Sequence, residues 1–278
     1  MTDDTLSSWI GKRETSHDRL SHELAKRIAT TLGNDIPATD APLPYLWHWA
    51  FFQEPVNEAY LGRDGHPQQG VLLPPIVGKS RMWAGGCVHF HQSLRIGEPA
   101  QRQSSITAVD AKQGKSGPLL FVTVQHCYYQ HEQLCISEEQ SIVYREPNPS
   151  TQPGSRPVPQ VEWKEDIAPS RVLLFRYSAI TYNSHRIHYD QQYATEVEGY
   201  PGLVVHGPMI ATFMLRSFTR RFPQRRPIAF TYRGIRPLFA STPFHVGGHH
   251  LSATHCALHA YDANGPAHQA EIEYKENS

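Results

Sequence analysis

The feature that most limits how this chain can fold lies between Val88 and Arg145. Three stretches, Ser104–Ala111, Leu119–Tyr129 and Leu134–Tyr144, are rich in β-branched and aromatic residues. Turn-forming residues separate them, namely Gln113-Gly114-Lys115-Ser116-Gly117 and His131-Glu132. Branched side chains lose rotamer freedom in a helix and pack well on a pleated surface. Consecutive strands joined by short turns pair antiparallel, so the segment reads as a meander. Such a sheet has an apolar face to bury, against a helix or another sheet.

A second set of strands follows further on. IAFTYRGIRPLF (228–239), PFHVGGHHLSATHCALHAYD (243–262) and AHQAEIEYK (267–275) are strand-like, with Asp262-Ala263-Asn264-Gly265 as a turn. Ahead of them, Pro208 occupies a first-turn position. Met209, Phe213, Leu215 and Phe218 then form an apolar stripe up to Phe222-Pro223, as in a buried-face helix. The first half carries its own helical pattern over 17–32, with Leu20, Leu24, Ile28 and Leu32 stopped by Gly33-Asn34. It also carries an aromatic run, YLWHWAFF (45–52), that fits a buried helix or a strand. Residues 54–80 are Gly- and Pro-rich and read as loop. Residues 146–160 contain five prolines and almost no apolar side chains, the composition of a linker. Three segments are therefore expected: a first half over 1–145, a linker over 146–162 and a second half over 163–278. Each half reads as a helix followed by strands, and LRIGEP (94–99) and IRPLFASTP (235–243) occupy similar places. The reading is a weak internal duplication in an α+β chain, each sheet curling around one helix.

Bulk composition narrows the partners. Lys plus Arg and Asp plus Glu both number 26, so no broad basic surface for nucleic acid is expected. Four cysteines, Cys87, Cys127, Cys135 and Cys256, form no CxxC pair and suit free thiols in a reducing, cytoplasmic compartment. The N-terminus is acidic and lacks an apolar core, unlike a signal peptide, and no window is long and apolar enough for a membrane span.

The chemistry concentrates in TYNSHRIHYDQQYATEVEGYPGLVVHGPM, Thr181–Met209, which holds three histidines, three acids and an arginine just ahead of the second helix. The first amides of a helix have no internal carbonyl partners, and the dipole adds positive charge there. A glycine at that point, Gly207, lets a ligand oxygen approach the backbone. An imidazole nearby could then move a proton beside a carbonyl.

The stretch resembles the MaoC-type hydratase motif. In that family an Asp-x-Asn-Pro-Leu/Ile-His-x-Asp string precedes Tyr/Phe-Ala and a His-Gly that opens the central helix. His188, Asp190, Ala194, His206 and Gly207 match in spacing; Asn183 falls on the family's catalytic Asp, His185 on its Asn, and Arg186 on its Pro. More narrowly, Asn-x-His-Arg-Ile-His-Tyr-Asp together with LRIGEPA, KSGPLLFVTV and SIVYRE resembles the double-hotdog branch. That branch contains type 2 hydroxyacyl-thioester dehydratases and the itaconyl-CoA and mesaconyl-CoA hydratases. The resemblance implies a double hotdog and a hydro-lyase acting on the α,β double bond of a short acyl-CoA, with a C5 dicarboxylic thioester as leading substrate. It implies His188 as base for water and a backbone N–H around Gly207 as holder of the thioester oxygen. Asn183 cannot accept a proton, so the role of the family's Asp passes to Asp190, His185, Tyr182 or to His188 alone. The opposing charge for a second carboxylate is sought in Arg186, Arg95 or Arg233, and His206 joins the substrate-binding set. Coenzyme A enters as part of the substrate; no further cofactor is implied. A carrier-protein thioester dehydratase and a non-catalytic acyl-CoA-binding module stay open as alternatives, as does a homodimer.

Plainer roles stand beside these. Asp190 suits turn capping or orientation of a neighbour, Asn183 an Asx turn, and Trp47-His48-Trp49 packing. The cluster Arg216, Arg220, Arg221, Arg225 and Arg226 suits compensation of helix C-terminal carbonyls, or attraction of CoA phosphates. His89-x-His91 and His249-His250 lack a third ligand at tight spacing, and no HExxH occurs, so no metal is expected. No GxSxG or P-loop is present.

Overall fold

The computed structural model describes residues 8–68, 72–74, 79–114, 117–146 and 155–276. The central turn residues Lys115-Ser116, residues 147–154 of the expected linker and parts of the 54–80 loop lie outside the described residues.

Among the described residues, ten antiparallel strands form one sheet in the order β1-β3-β4-β5-β2-β7-β10-β9-β8-β6. The first five belong to the first half of the chain. They are β1 (Arg13–Arg19), β2 (Ser80–Phe90), β3 (Pro99–Gly114), β4 (Gly117–Gln130) and β5 (Gln133–Arg145). The other five follow residue 162: β6 (Trp163–Ile167), β7 (Arg225–Gly234), β8 (Phe244–His250), β9 (His255–Asp262) and β10 (Gly265–Glu276). The halves meet where β2 pairs with β7, from Gly85↔Arg233 to His89↔Ala229. That pairing turns two edges into interior ladder and removes a liability that either half alone would carry. The Gly85-Gly86 pair sits here, at a register shift in β2.

Among the described residues there are three α-helices: α1 (His22–Leu32), α2 (Arg171–Ile180) and α3 (Gly207–Arg221). Helix α3 is the core of the second half. Met209, Ile210, Phe213, Met214, Leu215 and Phe218 are at most 2% exposed, so the apolar stripe is buried as its spacing required. It packs against β6, β7, β8, β9 and β10, where Phe230, Val246, Leu258 and Ile272 close around it. A side chain the size of Phe218, fully buried, contributes about 1.5–3 kcal/mol of transfer free energy.

The first half differs from the sequence reading in three places. The helical pattern over 17–32 begins only at His22, capped by Ser21, whose Oγ accepts from the Leu24 amide. Residues 13–19 are instead an edge strand on β3, since pairing with Pro99–Ser105 satisfies their backbone. The aromatic run is neither a full helix nor a strand. It forms one 3₁₀ turn, Trp47–Ala50, bounded by Leu46 and Phe52, both in the left-handed region. In the second half, helix α2 forms where the sequence predicts no element; Ser170 caps it by accepting from the Leu173 amide at 3.0 Å.

The arginine cluster does cap a helix, but not mainly its own. Arg216 donates to the Leu32 carbonyl, and Arg220 to the Gly33 carbonyl at 2.8 Å, at the C-terminal end of α1. Both also pair with Glu165. These bonds tie the second half's central helix to the first half's N-terminal helix.

Candidate active site

His188 closes a short 3₁₀ turn, Arg186–His188, and is 7% exposed. Its Nδ1 lies 2.7 Å from the Val204 carbonyl, which can only accept, so Nδ1 carries the proton and Nε2 keeps its lone pair. Burial pushes its pKa down to about 4, against the raising effect of that backbone bond. The ring stands ready as a neutral base.

His188 stacks on His206, with centroids 3.7 Å apart and planes 19° from parallel. His206 is fully buried and caps α3 only through its backbone; the first amides of the helix receive no side-chain cap. Its Nε2 shares a 2.8 Å hydrogen bond with Ser178 Oγ of α2, while Nδ1 has no partner. Burial, then the neighbouring His188 and His185, push the His206 pKa well below its ordinary value. The imidazole pair thus sits against the positive end of the buried helix.

Gly207 answers a different neighbour from the one anticipated. A Cβ there would come 2.8 Å from Cε3 of Trp83 on β2, so glycine is what lets the indole pack against the start of α3. Trp83 stacks in turn on Tyr232, 4.5 Å between centroids.

A cavity of about 790 Å³ opens between the halves. Ser178, Asn183 and Pro208 line it, which are a hydrogen-bond partner of His206, the start of the motif and the residue after Gly207. From the first half come His66, Arg81, Trp83, Arg102 and Tyr128. His188, His206 and Gly207 are not themselves on its wall.

The remaining sequence candidates divide clearly. Asn183 lies on the cavity wall, but its Oδ1 accepts from the His185 amide at 2.9 Å in an Asx turn, leaving the side-chain amide donors. Tyr182 lines the mouth, 62% exposed, at positive φ. His185 stands between His66 and His188, at 4.2 and 5.4 Å between centroids. Asp190 takes the Tyr193 amide at 3.0 Å and both Nε and Nη2 of Arg186, so its oxygens hold the loop and a π-helical turn, Tyr193–Val197. Arg186, committed to Asp190 and to the Arg63 carbonyl, is not on the cavity wall. Arg95 and Arg233 are exposed and bond to the Asp40 carbonyl and Gln269. Neither lines the cavity. Arg81 and Arg102 do reach it. Nothing in their spacing marked them, since a strand arginine has the same pattern whichever face it takes.

The segment 61–68, whose composition predicts only a loop, meets the motif. Asp64, His66 and His185 place donor atoms within 4.8 Å of one another. His66 Nδ1 is already 2.9 Å from Asp64 Oδ2, and the His66 and His185 rings face each other at 38°. Facing rings do not aim their in-plane lone pairs at one point, so the trio fits a hydrogen-bonded pair beside a third ring better than a cation site.

The model of the family "Hydroxyacyl-thioester dehydratase type 2" matches residues 46–240. The chain belongs to the hydroxyacyl-thioester dehydratase type 2 family. It is a hydro-lyase of the MaoC-like, double-hotdog kind. A mesaconyl-C(4)-CoA hydratase of Chloroflexus aurantiacus is 46% identical, covering 86% of this chain and 87% of that protein. The mitochondrial hydroxyacyl-thioester dehydratase type 2 of Schizosaccharomyces pombe is 30% identical over 82% of this chain and 87% of its own. Among solved structures, a MaoC-like dehydratase superposes with a TM-score of 0.72 at 12% identity, covering 98% of this chain and all of its own. HtdX of Mycobacterium tuberculosis gives 0.68 at 13% identity, covering 94% and 99%. At such identities the structural likeness establishes the double-hotdog fold. No helix among the described residues is long and apolar enough to cross a membrane.

Proposed function

We propose that this hydro-lyase adds water across, or removes it from, the α,β double bond of a short dicarboxylic acyl-CoA of the mesaconyl or itaconyl type. One observation carries the reading. A neutral imidazole, fixed on a backbone carbonyl, is buried at the uncapped N-terminus of the second half's central helix. His188 takes the proton of a water as its oxygen bonds to C3. The π electrons move toward the thioester oxygen, and the same proton is delivered to C2. Amides at the start of α3 hold the oxygen as it gains negative charge.

The substrate class has separate support. Arg81 and Arg102 bring two guanidinium groups to the cavity, and the Arg102 Nε is buried without a partner. They replace Arg95, Arg186 and Arg233 as the cations suited to a second carboxylate. The 46% identical relative, named for hydration of a mesaconyl thioester, favours the same class. A cytoplasmic setting is part of the proposal, supported by four free thiols.

The test is a panel of mesaconyl-CoA, itaconyl-CoA and crotonyl-CoA, followed by loss of enoyl-thioester absorbance. The dicarboxylic thioesters should be the better substrates, and Arg81→Met should erase that preference while sparing crotonyl-CoA. Equal kcat/KM for all three would remove the dicarboxylic assignment.

A further inference from the structure

Asn183 stands where the MaoC-type motif has an aspartate, and its only side-chain oxygen is spent on the His185 amide. A water poised between His188 and substrate therefore needs another acceptor for its second hydrogen. We propose that His66, from the first half of the chain, is that acceptor and the second catalytic residue of the site, held by Asp64 as a positioning residue. The proposal rests on the hydratase reading above.

Four observations carry it. His66 is on the cavity wall with Asn183 and Ser184. Its Nδ1 faces Asp64 Oδ2 at 2.9 Å, and its backbone amide donates to Asp64 Oδ1 at 3.0 Å, so the carboxylate fixes both ring and loop. With Nδ1–H donating to a carboxylate, Nε2 is an acceptor, and it has no hydrogen bond among the described residues. His66 then faces His185 at 4.2 Å between centroids, and His185 stands 5.4 Å from His188, so the three imidazoles run in series along the motif loop.

The loop is also locked onto the motif rather than merely near it. The Arg186 amide donates to the Asp64 carbonyl at 2.9 Å, Arg186 Nη1 donates to the Arg63 carbonyl at 3.1 Å, and Ser184 Oγ donates to the Gly65 carbonyl. Gly65, at φ +89°, lies so close that a Cβ would overlap the Ser184 carbonyl. Only glycine meets both demands. Three successive residues of the first half are thereby bonded to the loop that carries His185 and His188.

Protonation states agree. Burial lowers the His66 pKa and outweighs the raising effect of Asp64, so the ring is neutral near pH 7. Asp64 is held below the ordinary carboxylate range: burial raises its pKa, but the hydrogen bonds from the His66 ring and amide overcome that. The groups that face this pair are His185, Arg81 and, at longer range, His188. The proton balance of hydration is unchanged. His188 accepts the water proton and returns it to C2, while His66 Nε2 accepts a hydrogen bond from the remaining O–H and keeps its protonation state.

The experiment is steady-state hydration of mesaconyl-CoA by the full chain, comparing His66→Leu, His66→Gln, Asp64→Asn and the double variant, each checked for unchanged melting. His66→Leu should lower kcat by about 10²–10³ with KM within about threefold, the range of a positioned proton-handling group. His66→Gln, which offers an oxygen acceptor, should recover at least about tenfold of that loss. Asp64→Asn should lower kcat about tenfold, and its effect should vanish in the His66→Leu background. Full kcat in a folded His66→Leu enzyme overturns the proposal and leaves the hydratase reading intact. Wild type inert on every thioester of the panel overturns both. Loss of activity on chelation, restored by zinc, replaces the dyad with a metal centre built on the same residues.

Discussion

The two halves of the sheet solve the same burial problem differently. In the second half a fifteen-residue helix, α3, fills the curve of the sheet, and its N-terminus faces a stack of neutral imidazoles. In the first half the corresponding space holds a four-residue 3₁₀ turn and a buried carboxylate, Glu138. Glu138 is 1% exposed and accepts from Trp49 Nε1, Gln140, Tyr128 and Tyr232, with His48 Nε2 at 3.3 Å. Burial raises its pKa, but these donors, His48 foremost, bring it down to about 2. A saturated charge of this kind has no lone pair left for a ligand. The second half keeps lone pairs and amides unspent at the mouth of its helix. One interior is organised for stability and the other for chemistry, and the comparison can be broken at named residues.

The largest expected effect is on His188. His188→Ala should lower kcat for thioester hydration by about 10²–10⁴ while the protein stays folded. Retained turnover would transfer the base to another group and erase the functional side of the contrast. Glu138→Ala should do the reverse. Removing one member of a buried, fully paired cluster costs about 3–5 kcal/mol, because the donors around it lose their acceptor. Denaturant midpoints should show that loss, with kcat per folded molecule little changed. A stable but inactive Glu138→Ala enzyme would move Glu138 into the chemistry.

These two interiors were unequally legible in the sequence. The stripe Met209, Phe213, Leu215 and Phe218 has a helical period and a proline at its start, so α3 was readable to within a residue. YLWHWAFF has no period that separates a turn from a helix, and its conformation depends on Glu138, about 90 residues away, accepting from Trp49 and His48. His188 and Asn183 could be located because the motif is contiguous. Arg81, Arg102 and the Asp64–His66 pair reach the cavity only through the β2–β7 pairing and the docking of loop 61–68, long-range facts that no local spacing encodes. Asp190 illustrates the opposite case: its place in the motif suggested chemistry, but both oxygens are consumed by Arg186 and the Tyr193 amide.

Acid should sharpen the contrast further. His126 in the first half, and His188 and His268 in the second, are each lowered by burial to about 4. Between their ordinary value near 6.5 and about 4 the unfolded chain binds protons that the folded chain does not. Stability is therefore complete above about pH 6.5 and declines as the pH falls toward 4. Glu138, depressed rather than raised, keeps its full contribution above its ordinary value of 4.5 and loses it progressively as the pH falls to about 2. Melting temperatures should fall from pH 6.5 to 4, and the slope should ease in His126→Asn and His268→Asn variants. Hydration by His188 should be level from pH 8 to about 5.5 and drop below that as the ring protonates.

The smallest expected effect tests whether the second half's site depends on local helix stability or on packing. Ser170 caps α2, the helix whose Ser178 holds His206. Ser170→Ala should cost about 0.5–2 kcal/mol, as N-cap removals do. Ser178 lies two turns further along, next to Leu174 and Tyr177, which are 0% and 5% exposed, and packing rather than the cap fixes its position. The variant should melt earlier with kcat unchanged. The equivalent change in the first half, Ser21→Ala at the cap of α1, should cost a similar amount. If Ser170→Ala lowers kcat as well as stability while Ser21→Ala lowers stability alone, the imidazole stack is tuned through α2, and the catalytic half is the less rigid of the two.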